Sequence, residues 1–126
     1  MSIAALKFLN QQMEKALPGH YAFMRWNTHP PDDYYFTAEY NETPVYTAEE
    51  DGRREMVVYV RGYTWGDWIT LEEAKESIER IVPATAILEN GSGIAIFYDT
   101  TSIVPTGLDD LKSIKINLTI QEWKVN

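Results

Sequence analysis

The sequence predicts an α+β fold: an antiparallel β-sheet with two α-helices packed on one face and an extended β-hairpin. Three observations lead there. Two segments, at residues 2–17 and 70–82, repeat apolar residues at the helical spacing. Residues 114–121 alternate apolar and polar with period two. Between them, short aromatic and β-branched runs are separated by Gly, Pro, Asn and Asp, the pattern of strands and turns. With 126 residues, no repeat and no linker-like tract, the chain reads as one domain, 1–126.

Ile3, Leu6, Leu9 or Asn10, Met13 and Leu17 form the stripe of the first helix, with Lys7, Gln11, Glu14 and Lys15 opposite. Ser2 is its cap and Pro18-Gly19 its stop. Tyr21 to Trp26 is a short extended run, and Pro30-Pro31 bars helix after it. Tyr34 to Tyr40 is strand-like; Asn41-Glu42-Thr43-Pro44 interrupts it before Val45-Tyr46-Thr47 resumes. Pro44 has no N–H to give a ladder, which puts this stretch at an edge or a bulge. The acidic turn Glu49-Glu50-Asp51-Gly52 leads into Glu55 to Tyr63, so residues 34–63 read as an interrupted hairpin. Met56, Val58 and Val60 share one face of its second strand and Val57, Tyr59 and Tyr63 the other, which predicts a central strand covered on both faces.

Thr70-Leu71-Glu72-Glu73 reads as a capping box that starts the second helix. Leu71, Ala74, Ile78, Ile81 and Val82 continue its apolar stripe until Pro83 stops it. Thr85 to Glu89 and Ile94 to Tyr98 flank Asn90-Gly91-Ser92-Gly93 as a second hairpin, and residues 99–110 read as a polar loop. Ile114, Ile116, Leu118 and Ile120 give the last strand one buried face. At Glu122-Trp123 the alternation slips, which predicts a bulge or an aromatic offered to a neighbour.

Eleven Lys and Arg against 19 Asp and Glu leave a formal charge of −8, unfavourable for tracking nucleic-acid phosphates or an acidic lipid surface. The 44% hydrophobic content is too high for a disordered acidic tail. No cysteine is present, which removes disulfides, zinc–thiolate sites, iron–sulfur clusters and Cys nucleophiles. No apolar run approaches the ~20 residues of a membrane span, and no export signal is expected.

Residues with catalytic potential find simpler roles. His20 and His29 flank one short strand, too far apart along it to share a metal ion, and read as exposed loop residues. Asp32-Asp33 and Asp109-Asp110 suit turns, and Glu72-Glu73 suits a helix start. Glu49-Glu50-Asp51-Gly52 lacks the ligand register of a calcium loop. Gly91-Ser92-Gly93 lacks the Lys and the following helix of a phosphate loop, and no serine sits in a nucleophile elbow. The chain is read as no enzyme, with no catalytic residue, no metal site and no cofactor. Its tryptophans are more informative. Trp65 and Trp68, three residues apart, form either a recognition patch or, for Trp68, a staple ahead of the Thr70 cap. Trp26 and Trp123 carry the same ambiguity.

The element order resembles the tail terminator, or tail-completion, proteins of long-tailed bacteriophages. The carrying segments are Phe36-Thr37-Ala38-Glu39-Tyr40-Asn41-Glu42-Thr43-Pro44-Val45-Tyr46, the turn Glu49 to Gly52, Glu55 to Tyr63 feeding the helix at Thr70 to Val82, and the strands Ile94 to Tyr98 and Ile114 to Val125. The resemblance implies a structural virion protein of a phage or prophage, made in the bacterial cytoplasm and located at the head–tail interface. Its subunits would form a ring, commonly a hexamer, capping the tail tube, with the tail-tube and head-completion proteins as partners. Asn41-Glu42-Thr43-Pro44 resembles the hairpin region that reaches a neighbouring subunit. The Trp65-Gly66-Asp67-Trp68 loop and Gly91-Ser92-Gly93 depart from the pattern.

A ring subunit uses exposed edge strands and aromatic patches as heterologous interfaces. The candidates are Tyr40, Asn41, Glu42, Pro44, Tyr46, Trp65, Trp68 and Trp123. Acidity fits a bore that does not grip DNA. It also fits a competing class, an acidic binding module such as a toxin-immunity or nucleic-acid-mimic protein that meets a basic partner. A third, a sugar or small-ligand binder, would gather Trp65, Trp68 and several Tyr in one concavity.

Overall fold

The computed structural model describes residues 1–42 and 53–124. The Ser2 hydroxyl accepts a hydrogen bond from the Ala5 amide at 3.1 Å and opens α1, Ile3–Ala16. The helix closes where the Leu17 amide bonds the Met13 carbonyl at 2.8 Å and Gly19 takes φ +75°, a left-handed conformation that costs glycine little. Then follow β1 (Tyr21–Phe23), β2 (Tyr35–Glu42), β3 (Arg54–Thr64), α2 (Trp68–Ile81), β4 (Ala84–Ile87), β5 (Ser92–Ile103) and β6 (Lys112–Lys124). Pro44, Tyr46 and the acidic turn at 49–52 lie outside the described residues.

The six strands form one sheet in the order β1-β2-β3-β6-β5-β4, with β3 and β6 at its centre. Four of the pairings are antiparallel, and β1 alone runs parallel to its neighbour, β2, so the α+β sheet is mixed at one edge. β1 is shorter than its aromatic run because Met24 turns at φ +70°, its amide bonding the Ala38 carbonyl at 2.8 Å. One face of the sheet carries Phe36, Met56, Val58, Val60, Ile94, Ile96, Ile114, Ile116, Leu118 and Ile120, all buried. Both helices press Leu9, Met13, Leu17, Leu71 and Ile78 onto it, forming one core.

Several local expectations change. α2 starts earlier than the Thr70 capping box predicts. Asp67 is the cap, its Oδ1 accepting from the Ile69 amide at 3.0 Å, while the Thr70 amide bonds the Asp67 carbonyl at 3.0 Å. Asp is among the strongest caps, and Asp67 comes only three residues after β3 ends at Thr64, so it preempts the later signal. Asp67→Ala is expected to cost about 1 kcal/mol in urea denaturation and Thr70→Ala a few tenths; the reverse order would restore the Thr70 cap.

Residues 99–103, read as loop, are strand. A register shift between Tyr98 and Thr100 leaves Asp99 unpaired and lets Thr100–Ile103 pair with Asn117–Ile114. The alternation of β6 does not slip at its end. Glu122 keeps the inward parity at 7% exposure, its Oε2 accepting from the Ser2 hydroxyl at 2.5 Å. Trp123 keeps the outward parity and lies over Gly93, where an added Cβ would come within 2.3 Å of the indole. The second face of β3 is not covered: Val57, Tyr59 and Tyr63 are half-buried, and both helices lie on the opposite face.

Candidate functional site

The uncovered sheet face is polar and aromatic. Tyr35 stacks on Tyr63 at 5.1 Å, Arg61 pairs with Glu39 at 3.2 Å, and the Lys115 Nζ sits 5.4 Å from the Tyr59 ring centre. Asn41 Nδ2 donates to the Tyr59 hydroxyl at 3.3 Å. Glu39, Asn41, Tyr59, Arg61 and Lys115 line a shallow cavity of about 310 Å³. These cross-strand pairs rigidify the face without burying it.

At one end of the sheet, Glu42 receives both the Met1 ammonium and Arg54, the latter at 3.1 Å. The hydrogen bond from that ammonium is the main reason the Glu42 carboxyl is held below its ordinary range. The other end is apolar. Trp65 is 54% exposed and Ile103 71%, and Trp68, Ile69 and Leu108 are exposed as well. Trp68, residues 103–109, Leu111 and Lys112 border a groove of about 350 Å³. The carboxylates of Asp67, Asp109 and Asp110 are exposed around this end. Exposed apolar residues gathered at one place mark an interaction surface, whereas single ones do not.

The structure thus places Trp68 on the apolar groove, leaves Trp65 exposed just past the end of β3, and puts Asn41 and Trp123 on the uncovered face. Trp68 is the first residue of α2, not a staple ahead of it. Tyr40 points the other way, half-buried against the core with the Phe23 ring 6.3 Å distant. Trp26 spends its indole N–H on the Phe36 carbonyl at 3.2 Å. Sequence reasoning missed Ile69, Ile103 and Leu108. The signal was present in Ile103-Val104-Pro105 and Leu108, apolar residues inside a stretch read as polar loop.

His20 lies in a loop, but is half-buried where an exposed residue was expected. Its Nε2 lies 3.0 and 3.1 Å from the two Asp33 carboxylate oxygens, its Nδ1 lies 2.8 Å from the Pro18 carbonyl, and its ring stacks on Tyr34 at 4.0 Å. Returning the chain from α1 to β2 brings these groups together. His29 meets Asp32 at 3.0 Å in the exposed turn. Among the described residues no three His, Asp or Glu side chains gather where a metal ion would sit, and no helix is long and apolar enough to cross a membrane.

Partial desolvation pushes the Asp33 carboxyl up, but the Tyr34 amide and His20 outweigh it and hold it below its ordinary 3.8. A depressed native carboxyl contributes stability above its unfolded value and loses it as pH falls through the folded one. The stability gap between the wild type and Asp33→Asn is therefore expected to be present at neutral pH and to close below pH 3.8 in urea titrations. A gap that stayed fully open well below pH 3.8 would contradict the pairing.

No protein-family model matches the chain, and no curated protein matches it by sequence. Solved structures do. A chain from the virion of a native gene transfer agent particle superposes with a TM-score of 0.76, covering 98% of this chain and 99% of that one at 11% identity. A second solved structure, which carries no functional description, superposes at 0.64 over 98% and 93% of the two chains at 13% identity. At such identities the likeness establishes a shared fold.

Proposed function

We propose that this chain is a structural protein of a phage-like virion, and within that class a tail terminator. It would form a ring that caps the tail tube and joins it to the head. The observation that carries this reading is the end-to-end superposition on a gene transfer agent virion chain, with almost no residue of either left over. The element order, which resembles tail terminators, supports the finer assignment. So does a surface with separate contact regions on the uncovered face and the apolar end, as a heterologous ring that also meets other proteins requires. On this reading the partners are further copies of the chain, the tail-tube protein and a head-completion protein, and the protein performs no reaction. It is made in the bacterial cytoplasm and resides at the head–tail interface.

The net charge of −8 gives the competing reading its footing, an acidic module that neutralises a basic partner. Mixing the purified chain with isolated tail tubes and imaging by electron microscopy separates the two. Rings seated on tube ends are expected. A chain that stays monomeric with tubes, yet binds a basic nuclease at low salt, would establish the acidic module instead.

A further inference from the structure

β4 pairs only with Gly93–Ile96 of β5, so from Phe97 to Ile103 the strand has β6 on one side and no strand on the other among the described residues. The direction of its amides follows from one bond. The Val104 amide reaches the Ser113 carbonyl at 3.0 Å. In an antiparallel ladder every second residue faces the partner, so Ser102 faces β6 while Thr101 and Ile103 turn their amides outward. Unpaired outward amides are a template for another strand.

The free edge borders the groove formed by Trp68, Ile103 and Leu108. Thr101 and Ile103 pair with Ile116 and Ile114, core-facing residues, so their side chains stand on the helix side of the sheet. An added strand would therefore send alternate side chains toward the groove. Asp109 and Lys112 line the groove. In the flanking segments Asp67, Asp99 and Asp110 are exposed, and Lys75 is held by Glu72 at 3.0 Å and Glu79 at 3.8 Å, so acid outweighs base around it. We propose that this edge and groove take an extended segment of a partner protein, with apolar residues at alternate positions and Lys or Arg between them. A second copy offering the same end is disfavoured, because Asp67, Asp109 and Asp110 would meet their own kind. The inference holds for a single subunit whether or not the chain closes into a ring.

The test uses a fluorescently labelled peptide of alternating lysine and valine, followed by anisotropy at moderate salt. Three comparisons accompany it: the same peptide N-methylated on alternate backbone amides, a glutamate–valine peptide, and two protein variants. Thr101→Pro removes an outward amide at an edge position that tolerates proline, and Asp109→Lys with Asp110→Lys reverses the rim without touching the core. The lysine peptide is expected to bind, and N-methylation or Thr101→Pro to weaken it by about tenfold or more. Rim reversal should weaken it similarly and favour the glutamate peptide. Absence of binding overturns the proposal, as does binding that ignores N-methylation, which is charge attraction alone. Self-association in sedimentation velocity that Thr101→Pro abolishes, without peptide binding, would make a second copy the occupant. Should Thr101→Pro fail to fold, the N-methylated peptide and the rim variant still decide.

Discussion

Gly62→Val is expected to destabilise the protein by about 3 kcal/mol, among the largest effects of any single substitution on the sheet. Gly62 pairs across β2 with Phe36 and across β6 with Ile114, and all three share the helix-facing side. A Cβ at Gly62 would lie 2.3 Å from Phe36 Cε2, 2.4 Å from Cζ and 2.9 Å from Cδ2. The ring cannot swing aside, being fully buried and held edge-on against Tyr34 at 6.1 Å. Glycine is there because Phe36 occupies the space of its missing side chain. Removing the ring should also be costly, about 3–5 kcal/mol for Phe36→Ala. The two positions should therefore couple: Gly62→Ala combined with Phe36→Leu is expected to cost less than the sum of the single changes in urea denaturation. Strict additivity, or a Gly62→Val protein within ~0.5 kcal/mol of the wild type, would show that the contact does not constrain the core.

On the tail-terminator reading, Trp65→Ala combined with Trp68→Ala is expected to abolish seating on tail tubes while the chain still unfolds in one cooperative urea transition. Trp65 is 54% exposed and Trp68 36%, and neither belongs to the core cluster, so the core itself stays intact. In an assembled state the same rings would be covered. A tryptophan at the centre of an interface contributes about 2 kcal/mol or more, roughly thirtyfold in affinity for each. The informative result is the separation of the two readouts. Seating that survives both substitutions would remove the apolar end from the interface and turn attention to Asn41 and Trp123 on the uncovered face.

The α+β class, both helices and the hairpins were legible because local signals agreed with the global arrangement. Leu71, Ala74 and Ile78 repeat at helical spacing, and Ile114 to Ile120 alternate, because each set faces one core. What was not legible arose where a neighbour distant in sequence decides. Nothing near Glu122 announces that Ser2 will satisfy it, so a buried carboxylate looked like a broken pattern. Trp123 rests on Gly93 through a cross-strand pairing that periodicity cannot reveal. The strand at 99–103 was masked by its polar Thr100, Thr101 and Ser102, residues that suit a solvated edge as well as a loop. Of the candidate surface, the tryptophans were visible from residue type alone. Ile69, Ile103 and Leu108 were not, since their gathering depends on where α2 and β5 terminate.

The strand order also fixes when the molecule becomes whole. β2–β3 and β4–β5 are each joined by nearby chain, but within the sheet the two hairpins are linked only through β6, which pairs Val58 with Leu118 on one side and Ile96 with Ile120 on the other. β6 follows both in the chain, so during synthesis each half waits with its inner edge bare until this strand leaves the ribosome. Closing such distant pairings is slow compared with hairpin formation. A nascent chain stalled before residue 112 holds two half-sheets whose inner edges, at β3 and β5, lack their shared partner, the kind of exposed edge on which aggregation starts.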